Sequence, residues 1–469
     1  MIMLIVANFP QSKKHGNCGA RQVIEFLSYE NHLKKYMLPL IPLSLNRHFV
    51  WLGVLLIFLP KINLLSLGGE TAGIRIDDFV LVWIAGLIFL FTIIANAWID
   101  RISKIEKIAF WFIGAMVFSN FINILLYRQS SLLYSMRMLE YFVFFYIGIY
   151  FAERRDIRRV IWAILIANGI VIALQTLGLI GGFASEGYAP LLPRAIGLTG
   201  GPWEVGAVIN ICFAILVFHY RRMPAFVCYL FGLTMLLLLL TAARMPTVAN
   251  IVLFGYYFYL RSNSKILFVV KMFFVAIPIL TALVLIPNPV FERSANLVNL
   301  TNNMDVLASA LDRVDPGPTD TIEQPDTEMI EDSDASWVMR AAKWAVAAKL
   351  YANTPSAWAW GVGPGHLGTS VDGGWLRLWC ETGPIGVLLF ISLFKQIAQT
   401  GWAARTMIIG VSISMVMIDI YMAYKVMALL FFVAGYMHYR QRNGAALCET
   451  GELPSTAWTI YSTPIKALR

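Results

Sequence analysis

Apolar runs separated by short charged turns fill most of the chain. Runs of about 20 apolar residues, the length that crosses a bilayer core, are the signature of a membrane helix. With ragged ends, such runs recur near 48–66, 79–97, 108–126, 138–152, 160–182, 203–219, 224–241, 246–260, 266–287, 383–397, 406–422 and 424–438. The pattern predicts about twelve transmembrane helices, several of them short. Residues 288–382 interrupt the series with no spanning run. Within them Trp337, Ala341, Trp344 and Tyr351 fall on one helical face, with Ser333, Asp334 and Ser336 as N-cap candidates and Pro355 closing the helix. Gly361-Val-Gly-Pro-Gly-His-Leu-Gly368 follows, too rich in glycine for a regular element. The predicted organisation is an N-terminal segment 1–47, helices over 48–287, a large loop over 288–382, helices over 383–440 and a polar tail 441–469.

Composition narrows the class. Hydrophobic residues make up 58% of the 469 and charged residues 14%. A soluble domain carries about 25% charged residues, so a water-soluble globular enzyme is excluded. Disorder needs the opposite balance, and an outer-membrane barrel would alternate apolar and polar positions. The expected fold class is an all-α polytopic membrane protein. Cysteine and histidine add no metal chemistry: the five cysteines include no CxxC and the six histidines are scattered. No metal or cofactor is expected. Met1–Phe9 lacks a basic leading segment and runs into Lys13, Lys14 and His15, which does not fit a secretory signal.

The formal net charge of +9 invites a nucleic-acid reading until its distribution is considered. Arg101/Lys104/Lys107, Arg154/Arg155/Arg158/Arg159, Arg221/Arg222, Arg261/Lys265 and Arg440/Arg442 fall in alternate turns between spans. The positive-inside rule then puts both termini in the cytoplasm and 288–382 on the outer face. Residues 288–334 hold eleven acidic side chains against Arg293 and Arg313, a net of −9, so the rest of the chain carries +18. The stretch from Asp315-Pro-Gly-Pro-Thr-Asp320 to Asp334 reads as a mobile, solvated linker, and 335–382 as the structured part of the loop.

Ionisable groups at outer helix ends are the candidate chemistry, because such charge is costly near a membrane. Arg194 lies ahead of Pro202, a first-turn proline for the sixth helix, and Arg244 lies just before Pro246 at the eighth. A guanidinium beside a helix N-terminus suits an anionic phosphate. Each arginine can equally be an interfacial anchor whose head reaches water. Arg340, on the loop helix, can instead stack between Trp337 and Trp344. Asp372, His366 and Glu381 are candidate general bases. Against that, Asp372 suits a turn bonded to its own backbone, and His366 an exposed loop position. Glu204 suits the dipole of the sixth helix, and Ile74-Arg-Ile-Asp-Asp78 reads as a structural outer turn.

Four stretches resemble the bacterial O-antigen polymerase/ligase superfamily (Wzy-type). Arg194-Ala-Ile-Gly-Leu-Thr-Gly-Gly-Pro is similar to its Arg-x-x-Gly segment ahead of a helix. Leu239-Leu-Thr-Ala-Ala-Arg244 resembles its Leu-Thr-x-Ser-Arg helix end, with Ala243 in the serine position. Arg340-Ala-Ala-Lys-Trp344, Pro355 and Gly361-Val-Gly363 resemble the opening of its structured loop. In the ligases a His-(Asn/Ser/Gln) pair stands nine residues before Gly-x-x-Gly; here Gly383 and Gly386 keep the spacing, but Asp372-Gly373 occupies the histidine position.

That departure weighs against a ligase. The resemblance implies a glycosyltransferase-C-like fold and a metal-independent, inverting glycosyltransferase. It would join undecaprenyl-pyrophosphate-linked oligosaccharide repeat units at the periplasmic face of the bacterial inner membrane, for exopolysaccharide, capsule or O-antigen. Arg194, Arg244 and Arg340 would hold the donor pyrophosphate, and Asp372 would deprotonate the acceptor hydroxyl, with His366 and Glu381 as alternatives. Donor and acceptor lipids, membrane lipids and a chain-length regulator are the implied partners. The rivals are an O-antigen ligase acting on lipid A core, and a lipid-linked oligosaccharide flippase or transporter. A transporter is disfavoured by the lack of repeated halves and by the large outer loop.

Overall fold

A computed structural model describes residues 51–57, 63–66, 73–75, 79–87, 103–127, 132–152, 156–181, 194–262, 264, 300–314, 316, 335–367 and 371–449. Strands β1 (Asn63–Ser66) and β2 (Gly73–Arg75) pair antiparallel, with Leu65 opposite Ile74. Residues 79–87 are helical, and after them come α1 (Lys104–Tyr127), α2 (Leu132–Ala152), α3 (Ile157–Thr176), α4 (Pro202–His219), α5 (Pro224–Thr241) and α6 (Arg244–Arg261). Then come α7 (Leu300–Arg313), α8 (Ala335–Asn353), the single turn α9 (Ala357–Trp360), α10 (Gly374–Ala398), α11 (Trp402–Ser414) and α12 (Tyr424–Glu449). The architecture is a helical bundle, and among the described residues five helices are long and apolar enough to cross a membrane: Lys104–Leu126 of α1, then α3, α4, α5 and α10.

Burial sorts the helices. In α4, 89% of the spanning window is buried, against 33% in α5, so α4 is central and α5 peripheral. Peripheral helices turn large apolar side chains outward, among them Trp111, Leu125, Ile166, Ile170, Tyr229 and Leu236. An apolar exterior of that kind belongs against lipid rather than water. Helices α2 and α12 cross at two glycines. A Cβ on Gly148 would lie 2.0 Å from the Phe432 carbonyl oxygen, and one on Gly435 would lie 1.9 Å from that of Phe145. Small residues at such a crossing let the backbones touch, which is how helices pack when lipid supplies no hydrophobic drive between them.

The sequence windows and the helices part company in several places. Window 48–66 is helical at 51–57, but 63–66 is strand β1. Pro60 stands between them and disfavours a continuing helix. Window 406–422 holds α11, which stops at Ser414 and gives way to turns and a 3-10 segment at Ile420–Met422. At 1.5 Å per residue α11 is roughly 20 Å long, short of a ~30 Å core. Window 383–397 begins early: α10 starts at Gly374 and is broken at Gly383 (φ 64°, ψ −177°), just before Pro384. Arg244 is itself the first residue of α6, with Pro246 inside the first turn. Helix α12 runs past 440 to Glu449. Within the acidic 288–334, Leu300–Arg313 forms α7, which packs on α8. Residues 1–47, 266–287, 317–334 and 450–469, to which the sequence assigns a leading segment, a span, a linker and a tail, lie outside the described residues.

Candidate functional site

One end of the bundle collects the candidate residues, and a chain of contacts defines that end. The turn after Arg194 is gripped by α3. Gln175 Oε1 accepts the Ile196 and Gly197 amides, both at 2.9 Å, and Asn168 Oδ1 accepts the Leu198 amide at 3.1 Å. The turn leads into α4, where Pro202 opens the helix and the buried Glu204 accepts the Gly200 amide at 2.8 Å. The start of α6 lies alongside, because Asn210 donates to the Pro246 carbonyl at 2.8 Å and Gly206 leaves room for the Pro246 ring. Arg244 therefore opens its helix beside the first turns of α4. Helix α12 also starts here: the Lys425 amide donates to Glu204 Oε1 at 3.3 Å and its ammonium to the Leu198 carbonyl.

The segment just before α12 carries the same end toward the large loop. Asp419 takes the Val371 amide at 2.7 Å and the Asp372 amide at 3.3 Å on Oδ2, and the Gly373 amide at 3.0 Å on Oδ1. Three successive amides on one carboxylate hold residues 371–373 in a tight turn, with Asp372 at φ 55°. Aspartate tolerates that left-handed conformation better than most residues. Asp372 meets Arg340 of α8 at 3.3 Å, its Oδ2 accepting from Nε. Trp337 and Trp344, the stacking partners the sequence offers Arg340 as an alternative, meet each other edge to face at 5.6 Å. Trp344 instead donates its indole N–H to the Val371 carbonyl at 3.1 Å, so α8 grips the same turn.

The glycine-rich turn packs into the break of α10. With Gly383 non-helical, the Cys380 and Glu381 carbonyls lose their helical partners; the Val362 amide reaches the first at 2.8 Å and the Gly363 amide the second at 3.1 Å. Ser119 of α1 also donates to the Glu381 carbonyl, and Asn123 to the Gly361 carbonyl. Gly361 has φ 77° and a Cβ there would meet Glu381 backbone at 2.3 Å, so only glycine fits. His366 lies in this turn, buried, with its Nε2 lacking a hydrogen-bond partner among the described residues. Burial holds its imidazole below the ordinary histidine pKa, favouring the neutral ring.

The three candidate bases thus differ sharply. Asp372 and Arg340 remain partly exposed, at 36% and 23% of their side chains. Arg194 and Arg244 are also partly exposed. Glu381 is sealed at 0% exposure. Its carboxylate accepts from Arg377 Nε at 2.9 Å, from the Gly365 amide at 3.0 Å and from the Tyr421 hydroxyl. That is the environment of a structural anchor, since a carboxylate so engaged has no open face for a hydroxyl. Beneath the turns, Arg377 also reaches Asp419 at 3.1 Å and is itself 1% exposed.

Arg377, Asp419 and Tyr421 escaped the sequence reading, as did Ser119 and Asn123. Signals existed: Arg377 and Glu381 stand four apart on one helix face. Asp419 and Lys425 are isolated charges inside an apolar stretch, the default marker of a built site. Among the described residues no group of His, Cys, Asp and Glu could hold a metal ion. Comparison of the sequence with known protein families and with curated proteins finds no match.

Proposed function

We propose that this chain is a polysaccharide polymerase that joins oligosaccharide repeat units carried on undecaprenyl pyrophosphate, at the outer face of the bacterial inner membrane. The observation that carries the reading is the part-exposed Arg340–Asp372 pair on the end of the bundle that also bears Arg194 and Arg244. Cationic groups beside helix starts are suited to a pyrophosphate, and a nearby carboxylate is suited to taking a proton. The acceptor sugar hydroxyl attacks the anomeric carbon of the donor, forming the new glycosidic bond. The bond from that carbon to the pyrophosphate oxygen breaks, and lipid pyrophosphate leaves with inversion at the carbon. Asp372 takes the hydroxyl proton. The arginines stabilise the charge that develops on the leaving phosphate, a role preorganised cations fill without a metal.

The single Arg340–Asp372 contact also suggests the order of events. Donor pyrophosphate competes for Arg340 and draws it off Asp372, removing the guanidinium that holds down the carboxylate's basicity. Glu381 serves in this reading as an anchor rather than a base. His366, neutral and buried, takes over the base role if Asp372→Asn keeps full activity.

The reading is tested by purifying the full chain in detergent with defined lipid-linked repeat units. Elongated lipid-linked products support it. Transport of the units across a vesicle bilayer without elongation sinks it in favour of a flippase, and transfer of finished polymer to lipid A core favours a ligase.

A further inference from the structure

Two turns frame the candidate site: residues 361–367, which carry His366, and residues 371–373, which carry Asp372. One side chain reaches the anchors of both. Glu381 holds the first turn through the Gly365 amide, and Asp419 holds the second through three amides. Arg377 reaches both carboxylates, at 2.9 Å through Nε and at 3.1 Å through Nη1. It is 1% exposed, and Glu381 and Asp419 are 0% and 6% exposed. A buried carboxylate is tolerable only when paired and hydrogen-bonded, so each anchor depends on the same guanidinium. The fork geometry of arginine allows two different acceptors at once, which the point charge of lysine does not reproduce.

We propose that Arg377 is a positioning residue: by bridging Glu381 and Asp419 it couples the glycine turn to the Asp372 turn and so aims Asp372 at the reacting centre. Its contact with substrate is not part of the role. The proposal rests on the polymerase reading for its catalytic consequence, whereas the coupling of the turns stands on geometry alone.

Hydrogen exchange on the full-length protein in detergent separates the two. Asp419→Asn loosens 371–373 while leaving 361–367 protected, and Glu381→Gln does the reverse. Arg377→Lys, which keeps the charge and so guards against simple misfolding, loosens both turns together, each exchanging at least about tenfold faster. In the elongation assay the same variant lowers kcat about tenfold with KM for the lipid-linked donor within about twofold, the mark of a misaimed group rather than a lost binding contact. Loosening of only one turn, or of neither, overturns the proposal. So does loosening of both with unchanged kcat. A wild-type protein that fails to elongate any repeat unit defeats the polymerase reading, and the exchange arm still decides the coupling.

Discussion

Arg340 touches Asp372 through one 3.3 Å contact with both side chains part-exposed. Exposed pairs of this kind are worth about 0–1 kcal/mol, so the contact is easily exchanged for a phosphate and contributes little to the fold. Replacing Arg340, Arg194 or Arg244 by alanine is expected to lower elongation at least about tenfold, roughly 1.4 kcal/mol of barrier. Size-exclusion behaviour should stay normal; wild-type yields from a well-inserted variant would remove that arginine from the site. His366 gives a pH signature. Its folded pKa is depressed by burial, so below about 6.5 the unfolded chain takes up a proton that the folded chain refuses. Thermal stability in detergent should therefore fall as pH drops from that value toward the lowered folded pKa. His366→Gln should flatten this dependence, and an unchanged slope would assign it elsewhere. Charged residues at helix starts were legible as candidates from sequence because proline and dipole rules mark those starts. Their partners were not: the Arg340–Asp372 and Arg377–Asp419 pairs join residues 32 and 42 positions apart, and only tertiary structure brings them together.

Helix boundaries followed hydropathy where a segment is simply apolar, as in α4 and α5, and departed from it where turns or breaks interrupt an apolar run. The broken α10 is the clearest case. Apolar content placed its start at 383, yet Gly374–Thr382 is already helical, and Gly383 is the break into which the glycine turn docks. A Cβ on Gly383 would lie 2.4 Å from the Ala359 carbonyl oxygen with φ at +64°. Gly383→Ala is therefore expected to destabilise by several kcal/mol, combining backbone strain with overpacking of about 1–3 kcal/mol each. Gly435→Ala at the α2–α12 crossing should be comparably damaging. Gly114→Ala is the control: among the described residues nothing lies within 4 Å of a Cβ there, and alanine in a helix interior gains about 0.5–1 kcal/mol over glycine. Thermal unfolding of the three variants in one detergent checks the ranking, and a Gly383→Ala variant as stable as Gly114→Ala would contradict the docking of the turn. The resemblance had already singled out Gly383 and Gly386 by spacing; the structure supplies a physical reason for the first of them.

At the scale of the molecule, the 58% hydrophobic content is spread over a bundle with α4 and the first half of α12 buried and apolar side chains on the outer helices. The candidate residues gather at one end, where α4, α6, α10 and α12 all begin. That polarity was readable in outline, because alternating basic turns predict which helix ends share a side. The break in α10 and the placing of α7 on α8 were not, since each depends on packing partners distant in sequence; the short β1–β2 ladder is local but lies inside an apolar run that hydropathy reads as helix. The central claim is that this end joins lipid-linked repeat units, and elongation by the purified chain tests it most directly. With undecaprenyl-pyrophosphate-linked units of defined length as both donor and acceptor, and no added metal, the account predicts a ladder of lipid-linked multimers that Arg340→Ala and Asp372→Asn suppress. Unextended units after prolonged incubation with a well-folded protein, or a ladder indifferent to both substitutions, would contradict it.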